Sequence, residues 1–193
     1  MTDLPLDPVA IDVGHLLQGT VASLYSHLVT RQTGRAVRMA IETQLAEAGE
    51  WSLSVIDLSE VEVLDFSCAD EVVAKLLQRF GDTRGREAFF VFRGVREPHR
   101  DQIDVVLRRQ HLAAVAETLP GKFELLGECT EEEDEAWRLL EKRGLLSRGG
   151  SADPPVRGDG DSVLDHLVVR RLVFRSPITG GYHALSHLVS RLM

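Results

Sequence analysis

The sequence predicts an α/β fold: a mixed sheet of four or five strands with helices packed on it. Apolar runs rich in β-branched and aromatic residues, such as 51–61 and 88–95, are typical of buried strands. Between them lie stretches whose apolar positions repeat about every 3.6 residues, which indicates amphipathic helices. Because these helices are long enough to connect parallel strands, the predicted order is strand, helix, strand, helix, strand, helix, strand.

The first quarter of the chain supplies the signals for the opening elements. Residues 10–17 predict a strand, and residues 19–29 predict a second strand or a lead-in to the helix that follows. Residues 30–49 predict a helix with one apolar face and Gly49 at its C-cap. The apolar run 51–61 then predicts a central strand.

The elements after the central strand follow the same alternation. A helix that starts near Ser67 has apolar positions three and four residues apart and ends at Gly81. After the strand 88–95, residues 98–119 predict one long helix, which a Pro-Gly pair ends. Residues 122–128 predict a further strand.

The composition changes in the last third of the chain, which predicts two regions. Residues 1–127 form the α/β domain, and residues 128–193 form an extension with a linker rich in Gly, Pro, Ser and Asp at 147–161. The extension starts with an acid-rich helix that carries a capping box, Thr130 with Glu133.

Bulk composition restricts the classes of function. The 193-residue chain carries a formal net charge of −8, which disfavours a protein that coats nucleic acid through electrostatics alone. The acidic, Pro-containing start does not have the pattern of a secretory leader, and no apolar run approaches the roughly 18 residues that span a bilayer. The chain also has only two cysteines. Together these features predict a cytoplasmic protein that does not enter a membrane.

Residues 54–72, SVIDLSEVEVLDFSCADEV, carry the most specific pattern in the chain. A strand of apolar residues alternating with Asp and Ser leads into a turn that starts a helix, which resembles the signature of STAS domains of the anti-sigma-factor antagonist type. The helix start Ser67-Cys68-Ala69-Asp70-Glu71, with Thr30-Arg31 and Gly34 upstream, is similar to a divergent STAS-like branch of bacterial and archaeal proteins. In that branch, Ser-Phe-Ala-Asp-Glu opens the helix. The resemblance covers about residues 10–127.

The resemblance implies a non-enzymatic docking module with a small mixed sheet and helices on one side. In regulatory STAS members, a partner ATPase of the histidine-kinase type phosphorylates a serine at this helix start, and the phosphate decides which partner binds. Ser67 stands at the second serine of their Asp-Ser-Ser-Gly turn, whereas Phe66 replaces the first serine and Cys68 replaces the glycine. The partner-binding and phosphoacceptor candidates are therefore Asp65, Phe66, Ser67, Cys68, Asp70 and Glu71.

Ser67 also has a structural interpretation, as the N-cap of the helix. Its hydroxyl would accept a hydrogen bond from the backbone N–H near Asp70, and Asp70 would return one; such a cap contributes about 1 kcal/mol. A helix N-terminus favours a phosphate, but three nearby carboxylates, Asp65, Asp70 and Glu71, would repel it. A thiol near a helix start can have a lowered pKa, but the same acids oppose this, and Cys68 is expected to be a buried apolar filler.

No pattern in the sequence assigns an enzyme activity, a cofactor or a metal. The seven histidines are scattered, and the pair His183 and His187 has no cysteine or carboxylate cluster beside it. No phosphate-binding loop and no nucleophile with an adjacent base can be identified. Asp57 and Asp65 lie at strand ends near one another and could mimic paired carboxylates, but they are expected to be turn or cap acids.

The C-terminal extension supports an alternative function, DNA binding. A helix capped at Ser162 and Asp165, followed by two short strands around a Pro-Gly turn, resembles part of a winged helix. This shape would place Arg170, Arg171 and Arg175 against phosphates or bases. Residues 161–193 hold two acidic residues and four arginines, which is a small surplus of positive charge. Otherwise these elements pack against the α/β domain, or form a homodimer or partner surface.

Overall fold

The computed structural model describes residues 5–20, 27–81, 87–147 and 160–192, and its main feature is a five-stranded sheet. The strands, in their order across the sheet, are β1 (Asp7–Asp12), β3 (Trp51–Asp57), β5 (Glu87–Arg93), β6 (Ala113–Leu119) and β7 (Lys122–Gly127). The first four run parallel, and β7 pairs antiparallel with β6. The prediction of an α/β fold with a mixed sheet is confirmed.

The helices that connect these strands share one face of the sheet. They are α1 (Val13–Thr20), α2 (Arg31–Ala46), a continuous helix made of α3 (Phe66–Ala69), a π-helical segment (Asp70–Ala74) and α4 (Lys75–Gly81), and finally α5 (Glu97–Arg109). Because each strand of the sheet lies beside the previous one, crossovers of the usual right-handed sense place their helices on the same side. A short parallel pair, β2 (His27–Leu28) and β4 (Val63–Leu64), lies outside the main sheet just before α2 and α3.

The C-terminal segment covers the second face of the sheet. It consists of α6 (Glu131–Arg143), β8 (Leu145–Leu146), α7 (Gly160–Val169), β9 (Val173–Arg175), β10 (Tyr182–Ala184) and α8 (Leu185–Leu192). Its strands form an antiparallel sheet in the order β8-β10-β9. Leu53 of β3 and Phe89 of β5 share a buried core with Trp137, Phe174 and Leu188 of this segment. The sequence change near residue 127 therefore separates two regions that pack on opposite faces of one sheet.

The long helix predicted over 98–119 is wrong, because its second half is a strand. α5 ends at Arg109, His111 adopts a left-handed backbone with φ of 56°, and β6 begins at Ala113. The alanines of β6 have high helix propensity. However, β6 lies between β5 and β7, where small side chains fit in the buried interior of the sheet. Tertiary packing overrides local propensity at this position.

Two element ends in the first quarter of the chain differ from the prediction. The strand predicted over 10–17 ends at Asp12, and α1 begins at the next residue. α2 ends at Ala46 with Glu47 as its C-cap, so the predicted C-cap at Gly49 is wrong. Both differences lie within a few residues of the predicted ends, where helix and strand signals overlap.

The predicted cap of the last helix-hairpin unit is also wrong. α7 begins at Gly160, so Ser162 and Asp165 lie inside the helix. The Asp165 carboxylate accepts a hydrogen bond from the Tyr182 hydroxyl at 2.8 Å, which ties α7 to β10. Residues 148–159, most of the predicted linker 147–161, lie outside the described residues.

Several other predictions are confirmed. Thr130 and Glu133 form the capping box, with hydrogen bonds of 3.1 and 2.9 Å between side chains and backbone. The last two strands form a hairpin around the Pro-Gly turn. Of the second strand predicted over 19–29, residues 21–26 lie outside the described part of the chain. None of the described helices combines the length and the apolar character that crossing a membrane requires.

Phe174 joins the C-terminal segment to the sheet, and its removal should destabilise the fold. The buried ring meets Trp51 and Phe89 edge-on, with centroids 5.9 and 5.5 Å apart. We expect Phe174→Ala to lower the free energy of unfolding by about 3–5 kcal/mol, measured by urea denaturation. Ile178→Ala is the matched control, because this exposed residue of the same hairpin should cost less than about 0.5 kcal/mol. Equal losses in the two variants would contradict this packing.

Candidate functional site

Two segments that are far apart in the sequence meet at the start of α3. The first is 30–34, at the start of α2, and the second is 65–71. The Cys68 thiol donates a hydrogen bond to the Thr30 carbonyl at 2.9 Å. A Cβ atom at Gly34 would lie only 3.0 Å from the Cys68 Cα. A glycine at this position therefore lets the two helices approach each other closely.

Asp65, and not Ser67, caps the helix. Asp65 is the last extended residue before it, with φ of −84° and ψ of 167°, and its carboxylate accepts the Cys68 backbone N–H at 2.8 Å. Ser67 lies inside the first turn, where its hydroxyl donates to both Asp65 oxygens, at 2.9 and 3.2 Å. The predicted cap at Ser67, with Asp70 as its reciprocal partner, is therefore wrong, because the cap lies two residues earlier.

Asp70 and Glu71 open the π-helical segment and point into the protein, where both are buried. The i→i+5 hydrogen bonds of a π-helix widen the turn, so consecutive side chains diverge less than they do in an α-helix. Both carboxylates reach Arg31, which donates from Nη1 to Asp70 Oδ2 at 2.6 Å and to Glu71 Oε1 at 3.0 Å. π-helical turns are frequent at functional sites, which makes this segment a candidate.

Two further cations and an amide complete the surroundings of the two carboxylates. Arg38 Nε donates to Glu71 Oε2 at 3.3 Å, and Lys75 pairs with Glu71 and lies 3.7 Å from Asp70. Gln110, just after α5, donates to the second Asp70 oxygen at 3.4 Å. Because a buried charge is tolerated only when it is paired and hydrogen-bonded, these contacts fix α2, α4 and α5 around the two acids.

The network keeps Glu71 ionised. Burial by itself raises the pKa of a carboxyl group, but the hydrogen bonds from Lys75, Arg31 and Arg38 outweigh burial and hold the pKa of Glu71 below its ordinary value. In return, the hydrogen bonds to Asp70 and Glu71 raise the pKa of Arg31. The negative charges of this pair are therefore balanced inside the site.

The predicted candidate segment is divided between the interior and the surface. Cys68, Asp70 and Glu71 are buried, whereas Asp65, Phe66 and Ser67 are partly exposed. Since cations neutralise the two inner acids, the carboxylate that directly contacts the Ser67 hydroxyl is that of Asp65. The predicted repulsion of a phosphate by three acids is thus reduced to repulsion by one.

Exposed apolar side chains lie on the elements next to the outward part of the segment. Val63 on β4 is 41% exposed, and Val29, which follows the paired strand β2, is 45% exposed. Val105 on α5 is also 45% exposed, and α5 packs against both β4 and α3. We call these three valines, together with Phe66 and Ser67, the α3 surface.

Cys68 is a buried filler, as its sequence context predicted. The side chain is fully buried between α2 and α3. Burial, and then the charge of Asp65, raise the pKa of Cys68 to about 12, so the thiol stays protonated at neutral pH. A protonated, enclosed thiol can donate a hydrogen bond but is a poor nucleophile.

The three arginines of the DNA-binding alternative are engaged within the chain. Each guanidinium pairs with a carboxylate of a neighbouring element: Arg170 with Glu133 at 2.7 Å, Arg171 with Glu87, and Arg175 with Asp165 at 3.2 Å. These pairs tie α7 and β9 to α6 and to the main sheet. Contact with DNA through the three arginines stays a prediction, and it would require these pairs to open.

Arg38 and Lys75 were not predicted, and Arg31 was named only as part of the upstream stretch of the resemblance, although the sequence carried a signal for all three cations. Lys75 follows Glu71 by four residues, which is the spacing of a helical ion pair. Arg31 and Arg38 are seven residues apart and so lie on one face of α2. Which acids that face would meet could not be read from the spacing alone.

The other residues with reactive or metal-binding side chains have structural contacts. The Asp57 carboxylate accepts the Ser59 backbone N–H at 2.8 Å, so it is the turn acid that was predicted. His187 bonds to the Glu141 carbonyl at 3.0 Å, whereas His183 is buried in β10. Across the described ranges, no three His, Cys, Asp or Glu residues are grouped in a way that could hold a metal ion.

Gly34→Ala should destabilise the protein, although alanine favours helices. The added Cβ would press on the Cys68 Cα, which belongs to the backbone and cannot easily move. We expect a loss of about 1–3 kcal/mol in the free energy of unfolding, measured by urea denaturation. Gly81→Ala is the matched control, because a Cβ there meets none of the described residues within 4 Å and should be neutral or stabilising by up to about 1 kcal/mol. A neutral Gly34→Ala would show that the helices are not closely packed.

Glu71→Gln should weaken the fold and flatten its acid denaturation. The folded-state pKa of Glu71 lies below the unfolded value of about 4.3, so the unfolded state binds more protons in acid. The stability that ionised Glu71 contributes is fully present above its unfolded-state pKa, and it is lost as the pH falls through its folded-state pKa. We expect the variant to lose about 3–5 kcal/mol at neutral pH.

The measurement is urea denaturation of the Glu71→Gln variant from neutral pH down to acid. Stability should decline less steeply in the variant than in the wild type below the ordinary glutamate pKa of about 4.3. Glu50→Gln is the control, because Glu50 is exposed, and it should leave the profile unchanged. Parallel profiles for wild type and Glu71→Gln would rule out the charged network.

Comparisons with known proteins found no relative of this chain. No protein-family model, no curated protein and no solved structure matches the chain. Its function must therefore be inferred from its own residues and contacts.

Proposed function

We propose that this chain is a non-enzymatic regulatory module that binds a protein partner through the α3 surface. The observation that carries the proposal is the division of the helix start: Asp70 and Glu71 are buried, whereas Phe66 and Ser67 are partly exposed, and three exposed valines lie on neighbouring elements. A contiguous exposed apolar patch on a protein surface marks an interaction site. The ion-paired helices beneath them supply the rigid support that a specific binding surface needs.

A STAS-like identity for the α/β region is part of the proposal. The sheet carries its crossover helices on one face, and α3 begins directly after the short strand β4. The two segments that the resemblance singled out, at 30–34 and 65–71, contact each other through the Arg31–Asp70 pair and the Cys68–Thr30 hydrogen bond. We infer that the pair of segments forms one site, acting in the bacterial cytoplasm.

Ser67 is the candidate phosphoacceptor within this surface. Its hydroxyl now donates to the Asp65 carboxylate that caps the helix. A phosphate on Ser67 would replace this attraction by repulsion between two anions and would weaken the cap. Arg109, whose guanidinium carbon lies 4.9 Å from the centroid of the neighbouring Phe66 ring, supplies a nearby cation. The candidate partner, taken from the STAS resemblance, is a kinase-like ATPase of the histidine-kinase type.

DNA binding by the C-terminal segment ranks second. One observation favours it: α7, β9 and β10 follow one another as a helix and hairpin, and β8 completes a three-stranded sheet, as in a winged helix. The arginines that would contact DNA are, however, committed to carboxylates of the same chain. The α3 surface needs no such rearrangement, and it is therefore the preferred site.

Val63→Asp should weaken partner binding without unfolding the protein. The native chain is cross-linked in its host cells, the partner is identified and purified, and its affinity is measured by calorimetry. Because a charge would be buried against the partner, we expect the Kd to rise about tenfold or more. Val169→Asp is the matched control: this valine on α7 is 74% exposed and lies outside the α3 surface, so its Kd should not change.

The same purified complex separates docking from phosphorylation. If Val63→Asp and Val169→Asp bind equally well, the α3 surface is not the docking site. Intact-mass measurement of the wild type and Ser67→Ala after incubation with the partner and ATP then tests the switch. A phosphate that appears on both proteins would remove Ser67 from the proposal and leave the docking surface standing.

A further inference from the structure

β7 forms an edge of the main sheet, and part of its backbone points away from the sheet. The Gly127 N–H donates outward to the Asp104 carboxylate at 2.9 Å, not to β6. Because backbone direction alternates along a strand, the N–H and C=O groups of Phe123 and Leu125 also point outward. In the described part of the chain, β6 is the only strand that pairs with β7.

A groove of about 860 Å³ runs along this edge, between β7 and α6. Phe123, Leu125 and Trp137 form its apolar lining. Trp137 is buried, and its indole N–H has no hydrogen-bond acceptor among the residues that the structure describes. An edge strand with outward backbone groups beside an apolar groove is an arrangement that accepts a further strand.

The two ends of the groove carry opposite charges. α6 follows β7 closely in sequence and lines the same groove, so the start of α6 lies near the end of β7. Glu131 is the acidic residue at the start of α6, and Lys122 and Lys142 are the basic residues at the opposite end. The arginines of the groove are paired within the chain: Arg100 with Glu124, Arg108 with Asp104, and Arg138 with Asp134.

From these features we propose that a second copy of this chain docks on β7, with the two β7 strands antiparallel about a two-fold axis. Such an axis reverses the groove, so the basic end of each copy faces the acidic end of the other. The outward backbone groups of Phe123 and Leu125 then pair across the interface. The two five-stranded sheets become one continuous sheet.

Charge reversal along the groove is what favours a second copy over an unrelated peptide. A peptide could also add to the edge, but it would need opposed charges at the same spacing, which every second copy carries in its own β7 and α6. The interface is separate from the α3 surface, because Asp104 and Arg108 of α5 lie toward β7, whereas Arg109 lies over Phe66 of α3. The proposal is therefore independent of the proposed function.

Sedimentation velocity of the full chain, over a dilution series, tests the proposal with a charge-exchange design. One variant carries Lys122→Glu with Lys142→Glu, and the other carries Glu131→Lys, which leaves the Asp134–Arg138 pair intact. The wild type should be a dimer that dissociates on dilution, and each variant alone should raise the dimer Kd about tenfold or more. An equal mixture of the two variants should restore dimers, because each end again meets its opposite charge.

Two controls keep the test decisive. Arg35→Glu changes an exposed charge on α2, away from the groove, and should leave the dimer intact. Leu125→Pro removes the outward N–H without touching the β6 pairing and should abolish dimers, while circular dichroism and thermal melting report the fold of every variant. A wild type that stays monomeric, variants that still dimerise, or a mixture that stays monomeric would each overturn the proposal.

Discussion

Two buried carboxylates, Asp70 and Glu71, constrain the helical face of this protein. Their charges have to be compensated inside the fold. α2 must therefore bring Arg31 and Arg38 against the π-helical segment, and Gly34 permits the close approach that this requires. The need to compensate these two buried charges thus positions α2 against the helix that starts with α3. It also determines which residues of the 65–71 segment remain at the surface.

The order of the sheet accounts for the C-terminal segment. Strands that follow one another across the sheet place their crossover helices on one face, so the other face of β3, β5 and β6 has to be covered by residues from elsewhere in the chain. The segment after residue 127 supplies that cover, and Phe174 lies at the centre of it. This role explains why its arginines are held in internal ion pairs.

The sequence predicted elements well where long apolar patterns specify them, and less well where tertiary contacts choose between similar local options. The buried strands and amphipathic helices followed from periodicity, but β6 did not, because its alanines favour a helix until the sheet encloses them. Asp65 and Ser67 are both good cap residues, and only the end of β4 decides between them. The site cations could not be assigned because spacing does not show which helices meet.

We propose that the start of α3 is a protein-binding surface supported by an ion-paired interior. Hydrogen exchange, followed by mass spectrometry on the chain alone and with its purified partner, tests this claim most directly. Binding should slow the exchange of backbone amides in residues 62–71 and in the second half of α5, and leave residues 160–192 unchanged. Protection confined to residues 160–192, with none at the start of α3, would contradict the claim.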